Sequence, residues 1–446
     1  MITIRMKKGL DLNVTGRPVD HVSRLMDMDC VGVSPAGIPH IKPKLHVKVD
    51  DRVKQGSLLY TDKRNPDIAF VSPGGGTIKA VDFGPRHSIR AVVIQLDKDE
   101  ERQVFGTVEP QQLATISKKE LTQHLMRGGI WPLIRTLPFR DIADPAVSPP
   151  AIIVNLDSLD LFQAGPALYL KGSLDTFFFG LDALNRLAPE IYLVTCHKTD
   201  LLEPELALAV THRVSGKYPA DDPGVFLYYT RASSAANRCW FIHGRDVLLL
   251  GRFLSDGVYP IERLVTVSTP DSAEHILTRS GAPISLLAPE ISAKTNLRAV
   301  AGGLWRGRSV GPDDYLGLYD SAVTVLPAGN DSEFLGFLRP GVNKPSHSRA
   351  FLSVFNKTPF VPDTGRHGEE RACINCGSCT GVCPVDILPQ FTVKTILAGE
   401  VEESLAHGLL DCVECGLCTY VCPSKIELNS ILQKAKKSYY KESAGH

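Results

Sequence analysis

Two copies of one cysteine pattern near the C-terminus constrain this chain more than any other feature. The first copy reads CINCGSCTGVCP, and the second reads CVECGLCTYVCP. Both follow C-x2-C-x2-C-x3-C-P, the run of bacterial proteins that hold two iron–sulfur clusters. The pattern therefore predicts one-electron transfer through two [4Fe–4S] clusters.

The spacing also predicts which cysteines share a cluster. Three thiolates at two-residue gaps can wrap three corners of a cubane, and the fourth cysteine of each run binds the other cluster. The first cluster is predicted to bind Cys373, Cys376, Cys379 and Cys422. The second is predicted to bind Cys412, Cys415, Cys418 and Cys383. Gly377 and Gly416 lie inside the loops, where a missing Cβ permits a tight turn.

Other uses of these cysteines fit less well. Disulfides need an oxidising compartment, for which the chain gives no indication. Structural zinc sites usually take two C-x2-C pairs that lie far apart. The remaining Cys30, Cys196 and Cys239 are scattered, and we expect them to be small buried hydrophobic residues. No arrangement of Ser, His and Asp and no pair of carboxylates indicates a catalytic residue. Isolated histidines such as His40 are expected to be structural or solvated.

Composition excludes several classes of function. The 446 residues carry 49 basic and 49 acidic side chains, so charge gives no argument for nucleic acid as a partner. No apolar run reaches the length of a membrane helix, and the N-terminus has no apolar signal-peptide core. We therefore expect a soluble, cytoplasmic chain that reaches a membrane only through partner proteins.

The pattern of apolar residues predicts a multidomain α/β and β protein. Alternation in residues 1–105 indicates strands, and the stretch around Thr61-Asp62-Lys63 is similar to a biotinyl or lipoyl sandwich, although we do not expect Lys63 to be lipoylated. Strands and helices alternate in residues 106–252, as in a Rossmann-like layer, with buried strands predicted at Val225–Thr230 and Asp246–Leu250.

The C-terminal half is predicted to hold three further parts. Residues 253–312 read as short strands around a helix at Ala273–Arg279, and residues 313–367 as a loop-rich connection. Residues 368–446 read as a helical ferredoxin-like domain. Its last helix, predicted at Ile426–Lys437, is basic and amphipathic, so it is either a docking surface or a solvated face.

Four stretches carry a resemblance to a known family. They are KKGLDLNVTGRP at 7–18, GGIWPLIRTLPF at 128–139, GRFLSDGVYPIERLVTVS at 251–268 and YLGLYDSAVTVLPAGNDSEFLGFLRPG at 315–341. With them the chain resembles the A subunit of the Na+-translocating NADH:quinone reductase over nearly its whole length. It is also similar in domain order to the C subunit of the Rnf ferredoxin:NAD oxidoreductase.

The resemblance implies both a fold and a function. The implied order is a barrel-sandwich hybrid, a Rossmann-like domain, a soluble-ligand-binding β-grasp and a helical domain. The implied protein is a peripheral electron-transfer subunit, located on the cytoplasmic face of the inner membrane. It would pass electrons toward flavin and ubiquinone in integral membrane and flavin-carrying subunits, coupled to Na+ transport, with quinone nearby.

The chain departs from each relative in one respect. Typical A subunits lack most of the cluster cysteines, whereas this chain has all eight. The Rnf subunit carries a Gly-rich flavin and NADH fingerprint, and here Ile130 and Trp131 follow Gly128-Gly129 in its place. Because a phosphate needs close backbone approach, we do not expect FMN or NADH to bind. An Rnf C-type subunit, a soluble flavin dehydrogenase module and a structural adaptor remain the alternatives.

Overall fold

The computed structural model describes residues 1–16, 18–231, 237–329, 340–342, 347 and 351–443. The strands in these ranges are β1 (Ile2–Arg5), β2 (Val22–Leu25), β3 (Cys30–Val33), β4 (Pro43–Leu45), β5 (Arg52–Val53), β6 (Leu58–Asp62), β7 (Asn65–Val71), β8 (Gly76–Phe83), β9 (Ile89–Leu96), β10 (Arg135–Thr136), β11 (Asp141–Ile142), β12 (Ile152–Asn155), β13 (Ile191–Thr195), β14 (His212–Ser215), β15 (Trp240–His243), β16 (Glu262–Ser268), β17 (Ala273–Arg279), β18 (Leu297–Ala301), β19 (Arg308–Val310) and β20 (Ala322–Pro327).

The α-helices of the same ranges are α1 (Pro110–Thr115), α2 (Lys118–Arg127), α3 (Pro166–Tyr169), α4 (Leu174–Asn185), α5 (Pro204–Ala209), α6 (Pro223–Thr230), α7 (Gly244–Asp256), α8 (Ile284–Leu287), α9 (Glu290–Ala293), α10 (Ser378–Val382), α11 (Pro389–Ala398), α12 (Val401–Ala406), α13 (Leu417–Tyr420) and α14 (Leu428–Ser443). No helix in this described part of the chain combines the length and the apolar character that a membrane crossing requires.

A mostly parallel sheet forms the centre of the α/β region. Its order is β1-β14-β13-β12-β15-β10-β11, and the pairs from β1 to β15 are parallel, whereas β10 and β11 run antiparallel. Strand β12 is buried on both faces, because Ile152 and Val154 join one hydrophobic core while Ile153 joins another. A near-continuous apolar strand of this kind is typical of a parallel sheet with helices on both sides.

Three segments differ in secondary structure from the sequence prediction. Val225–Thr230 lies in helix α6 and Asp246–Leu250 in helix α7, where strands were predicted, and Ala273–Arg279 is strand β17, where a helix was predicted. Short apolar runs that are buried on all sides carry no clear period, so the apolar pattern alone cannot separate the two structures. Strand β17 forms because it pairs with β16 along its whole length.

Three smaller sheets surround the central one. The order of the first is β3-β9-β8-β5, that of the second is β4-β6-β7, and both lie within residues 30–96. The third has the order β19-β18-β20-β16-β17-β2 and packs its own hydrophobic core.

Sheet membership does not follow the domain boundaries predicted from the sequence. Strands β1 and β2 lie within 1–105, yet β1 pairs with β14 and β2 pairs with β17. The boundary between 252 and 253 falls inside α7, and β20 of the predicted connection 313–367 joins the third sheet. The rest of that connection is only partly described, because residues 330–339, 343–346 and 348–350 lie outside the described ranges.

The C-terminal cysteine-rich region packs directly on the α/β region. Helices α10 to α14 of this region are mostly short. Several cysteines of the region belong to the same hydrophobic core as Ile153 and Phe241 of the central sheet. The cysteines are therefore held against the body of the protein by a continuous apolar interface.

Candidate metal centre

The two cysteine runs fold into loops of the same shape. Each run places left-handed residues at three equivalent positions, and these pairs are Asn375 and Glu414, Gly377 and Gly416, and Asp386 and Lys425. A short helix follows each glycine, α10 in the first run and α13 in the second, and the two helices pack together. The predicted tight turns at Gly377 and Gly416 are confirmed by φ angles of 75° and 80°.

The structure brings the second predicted ligand set together. The four cysteines of this set line one cavity of about 320 Å³, a volume that includes space open to solvent, and they are Cys383, Cys412, Cys415 and Cys418. All four are buried, and the rest of the lining is mostly apolar, for example Leu417 and Leu432. A cysteine of the first run therefore closes a cavity whose other thiols come from the second run.

The chemistry of this cavity fits a cluster. Burial raises the pKa of Cys383 and of Cys415 to about 12, so these thiols become thiolates only when a cationic group shares the cavity. In the part of the chain that the structure describes, no three His, Cys, Asp or Glu side chains converge on a point where a single metal ion could bind. A cubane differs from such an ion because each thiolate binds a different corner.

The first predicted set lies nearer the surface and outside that cavity. Cys373 and Cys376 are exposed, Cys379 is buried and Cys422 is half-buried. Ile374, between the two exposed cysteines, is 68% exposed. The structure thus exposes two of the four cysteines of the first predicted set, whereas all four of the second set are buried.

Polar groups next to the first set can stabilise thiolates. The backbone N–H of Asn375 donates to Cys373 Sγ at 3.4 Å, and the Ser378 hydroxyl lowers the pKa of Cys376 through a hydrogen bond. In the structure the Cys379 thiol donates to the side-chain oxygen of Gln390, with Sγ and Oε1 3.0 Å apart. Since a thiolate only accepts, the amide N–H of Gln390 would face the sulfur in the metal-bound form.

Charged side chains of the α/β region, and of the segment between β18 and β19, lie next to the second cysteine loop. Asp222 forms ion pairs with Arg140 at 2.8 Å and with Arg306 at 2.6 Å, and Arg140 also donates to the carbonyl of Val413 at 3.0 Å. The Tyr218 hydroxyl donates to the carbonyl of Cys415 at 3.1 Å. These contacts fix the second loop against the parallel sheet.

The segment that carries Arg306 is itself anchored. Asp160 accepts hydrogen bonds from the backbone N–H groups of Leu304 and Trp305, at 3.0 and 3.3 Å. The Trp305 ring stacks on Tyr218, with ring centroids 5.4 Å apart and an angle of 13° between the rings. Arg306 is therefore held beside the second cysteine loop by the residues that precede it.

Lys436 of the last helix has a structural role that the sequence analysis missed. Its side chain is 4% exposed, donates to the carbonyl of Cys412 at 2.8 Å and pairs with Glu414 at 2.9 Å. The basic run of this helix is thus divided, because Lys434 and Lys437 are exposed while Lys436 faces the second loop. No local pattern around Lys436 could have separated it from its neighbours.

The residues that stand in place of the Gly-rich fingerprint lie in the protein core. Ile130 and Trp131 are fully buried, and the indole N–H of Trp131 donates to the carbonyl of Ala143 at 2.8 Å. A Cβ at Gly128 would lie 2.0 Å from the ring of Phe253, and one at Gly129 would lie 2.7 Å from Val71. Both glycines are therefore required by packing.

Several other sequence predictions concern residues outside the site. Cys239 is buried as predicted, whereas Cys30 and Cys196 are only partly buried. Lys63 is exposed at the tip of the turn between β6 and β7. His40 packs its ring on Tyr440, with centroids 3.8 Å apart.

Three models of known protein families match parts of this chain. Residues 4–97 match the family model of the NqrA N-terminal barrel-sandwich hybrid domain, and residues 116–259 match that of the NqrA second alpha/beta domain. Residues 372–426, which include both cysteine runs, match the 4Fe-4S dicluster domain.

Similar proteins cover almost the whole chain. The A subunit of the Na(+)-translocating NADH-quinone reductase of Haemophilus influenzae is 32% identical over 450 residues, which span 99% of this chain and 100% of that protein. The A subunits of Pasteurella multocida and Pseudomonas aeruginosa are 32% and 31% identical, with 92% of both chains covered in each comparison. The protein therefore belongs to the family of A subunits of the Na(+)-translocating NADH-quinone reductase.

Proposed function

We propose that this protein is the peripheral electron-transfer subunit of a Na+-translocating NADH:quinone reductase. The observation that carries the proposal is the single cavity lined by Cys383, Cys412, Cys415 and Cys418, inside a chain of this family. Bound [4Fe–4S] clusters supply one-electron redox chemistry at such sites. The enzyme is an oxidoreductase complex, and this chain is one of its subunits.

The proposed ligand sets are crossed between the two runs. Cys373, Cys376, Cys379 and Cys422 would hold the first cluster, and Cys412, Cys415, Cys418 and Cys383 the second. The shared cavity of the second set supports this assignment. The exposure of Cys373 and Cys376 supports an order of electron transfer. A redox partner would contact the first set at the surface, and the second set lies inside the protein.

The chain's own residues position these thiolates and shield them. Tyr218 and Lys436 hold the carbonyls of Cys415 and Cys412, and the apolar lining of the cavity keeps water from the second set. The buried Ile130 and Trp131 support the expectation that FMN and NADH bind elsewhere in the complex. We therefore place the flavin, and the quinone that it serves, in partner subunits.

The finer architecture and the location belong to the same proposal. We infer a Rossmann-like layer, a β-grasp in residues 253–312, and a helical ferredoxin-like domain from 368 onward. The partners would be integral membrane and flavin-carrying subunits, at the cytoplasmic face of the inner membrane, with Na+ as the coupled ion. The names of the relatives support this set of partners. Nucleic acid is not among the proposed partners.

An activity measurement on the whole complex separates an electron carrier from a structural adaptor. The chain is co-expressed with its partner subunits as wild type, as the double variant Cys412→Ala/Cys415→Ala, and as Cys239→Ala, which changes a buried cysteine outside the site. We expect the double variant to assemble on the membrane and to lose NADH-driven quinone reduction, while Cys239→Ala keeps it. Full activity in an assembled double variant would assign the adaptor role instead.

A further inference from the structure

Two arginines beside the second cysteine loop share one carboxylate. Asp222 is fully buried and forms ion pairs with both Arg140 and Arg306, at 2.8 and 2.6 Å. Within this triad, two positive charges share one negative charge. The other charged pair at the loop, Lys436 with Glu414, is balanced.

The Arg306 side chain of this triad lies beside the loop that carries Cys415. The Arg306 guanidinium is 5.5 Å from the centre of the Tyr218 ring, and the Tyr218 hydroxyl donates to the carbonyl of Cys415. The Nε and one Nη of Arg306 are buried and have no hydrogen-bond partner among the described residues. Buried donors without partners are rare in folded proteins, so these two nitrogens set Arg306 apart from an ordinary ion-paired arginine.

Electrostatics gives this charge a definite effect. Reduction adds one negative charge to a cluster that its thiolates already make anionic, and burial disfavours the more highly charged form. A fixed cation nearby favours that form and raises the reduction potential, which net charge and hydrogen bonds are known to set. Two neighbouring carboxyls, Asp160 and Asp221, also interact with Arg306, and burial raises their pKa values to about 6 and about 7, so they offset part of its charge near neutral pH.

We propose that Arg306 raises the reduction potential of the second cluster by placing a fixed positive charge beside the loop that carries Cys415. This inference rests on the proposed function, since it needs a cluster in the cavity. In the redox event one electron passes from the reductant to the second site, and no bond forms or breaks. Arg306 stays charged throughout, because a guanidinium does not lose its proton in proteins.

Two substitutions in the triad should shift the potential in opposite directions. Arg306→Met removes the excess charge. Asp222→Asn removes the carboxylate but keeps a side-chain acceptor for the Gly224 N–H at the start of α6. At one ambient potential we expect Arg306→Met to lower the ratio of reduced to oxidised second cluster about tenfold, which is about 59 mV for one electron. Asp222→Asn should raise the ratio, and Arg306→Lys should stay nearer the wild type.

The measurement is a redox titration of the full-length protein followed by electron paramagnetic resonance. Each variant is also made with Cys376→Ala, which removes a ligand of the first set, so that the signal of the second cluster is identified. Arg308→Met is the control, because Arg308 belongs to the same segment but pairs with Asp320.

The outcomes separate this inference from the function on which it rests. Opposite shifts confined to the second cluster support the role of Arg306. Unchanged potentials in Arg306→Met and Asp222→Asn, or shifts of the same sign in both, overturn it while the proposed function stands. If Arg306→Met does not assemble clusters, the shift in Asp222→Asn decides. A wild-type protein without iron and sulfide overturns the proposed function itself.

Discussion

At the scale of single residues, two carboxyl groups that interact with Arg306 are buried and have raised pKa values. Asp221 is 6% exposed, one of its carboxylate oxygens has no hydrogen-bond partner among the described residues, and burial raises its pKa to about 7. Burial likewise raises the pKa of Asp160 to about 6, although three backbone N–H groups donate to that side chain. The protein therefore holds acids that bind protons more tightly when folded than when unfolded.

This shift predicts a dependence of stability on pH. Because the pKa of Asp221 is about 7 in the folded protein and about 4 when unfolded, the folded state binds more protons between these values. The free energy of unfolding should therefore fall as pH rises from about 4 to 7, by up to about 4 kcal/mol. Asp221→Asn, which does not titrate, should raise the thermal midpoint by more at pH 8 than at pH 5.

The control for this experiment is Asp67→Asn, which changes an exposed acid on strand β7. It should leave the difference between the two midpoints as in the wild type. A variant Asp221→Asn that melts with the same pH dependence as the wild type would show that Asp221 does not carry the effect.

At the scale of elements, a network of ion pairs and hydrogen bonds joins the C-terminal helix α14 to the β6–β7 hairpin. Arg64, in the turn between β6 and β7, pairs with Asp62 and with Asp141 of β11, each at 2.6 Å. The Tyr440 hydroxyl of α14 donates to Asp141 at 2.5 Å and accepts from Arg64 at 2.7 Å. One guanidinium thus joins three parts of the chain that lie far apart in sequence.

Arg64→Met should destabilise the protein strongly. It leaves the carboxylates of Asp62 and Asp141 buried without their shared cation, and such a loss typically costs about 3–5 kcal/mol. The neighbouring Lys63→Met changes an exposed side chain and should cost little. Hydrogen exchange, measured on peptides from α14 and from the β6–β7 hairpin, should increase in Arg64→Met and stay unchanged in Lys63→Met. Equal protection of these peptides from exchange in both variants would show that Arg64 does not join the two elements.

The elements also show where the sequence was informative. Helix α4 was predictable, because its apolar residues follow a helical period and Pro189 ends the pattern. Helix α6 was mistaken for a strand although Asp222-Pro223 is a helix start signal, with Asp222 as the N-cap. Strand β2 had no such signal, since its parallel pairing with β17 depends on residues far along the chain.

At the scale of the whole molecule, the cysteine-rich region and the α/β region share one core. Cys379, Cys383, Cys412, Cys415 and Cys418 pack in the same apolar cluster as residues of β12 and β15. The cysteines themselves were predictable, because their spacing is local and specific. The charged residues that face them, Arg306 and Lys436, were not, because only the folded chain brings them to the second loop.

The central claim is that this chain holds two [4Fe–4S] clusters, and metal and sulfide content tests it most directly. Full-length protein is purified without oxygen, and its iron, zinc and acid-labile sulfide are measured per chain. Two cubanes on eight thiolates predict about eight irons and about eight sulfides. About one zinc per chain with no acid-labile sulfide would contradict the account.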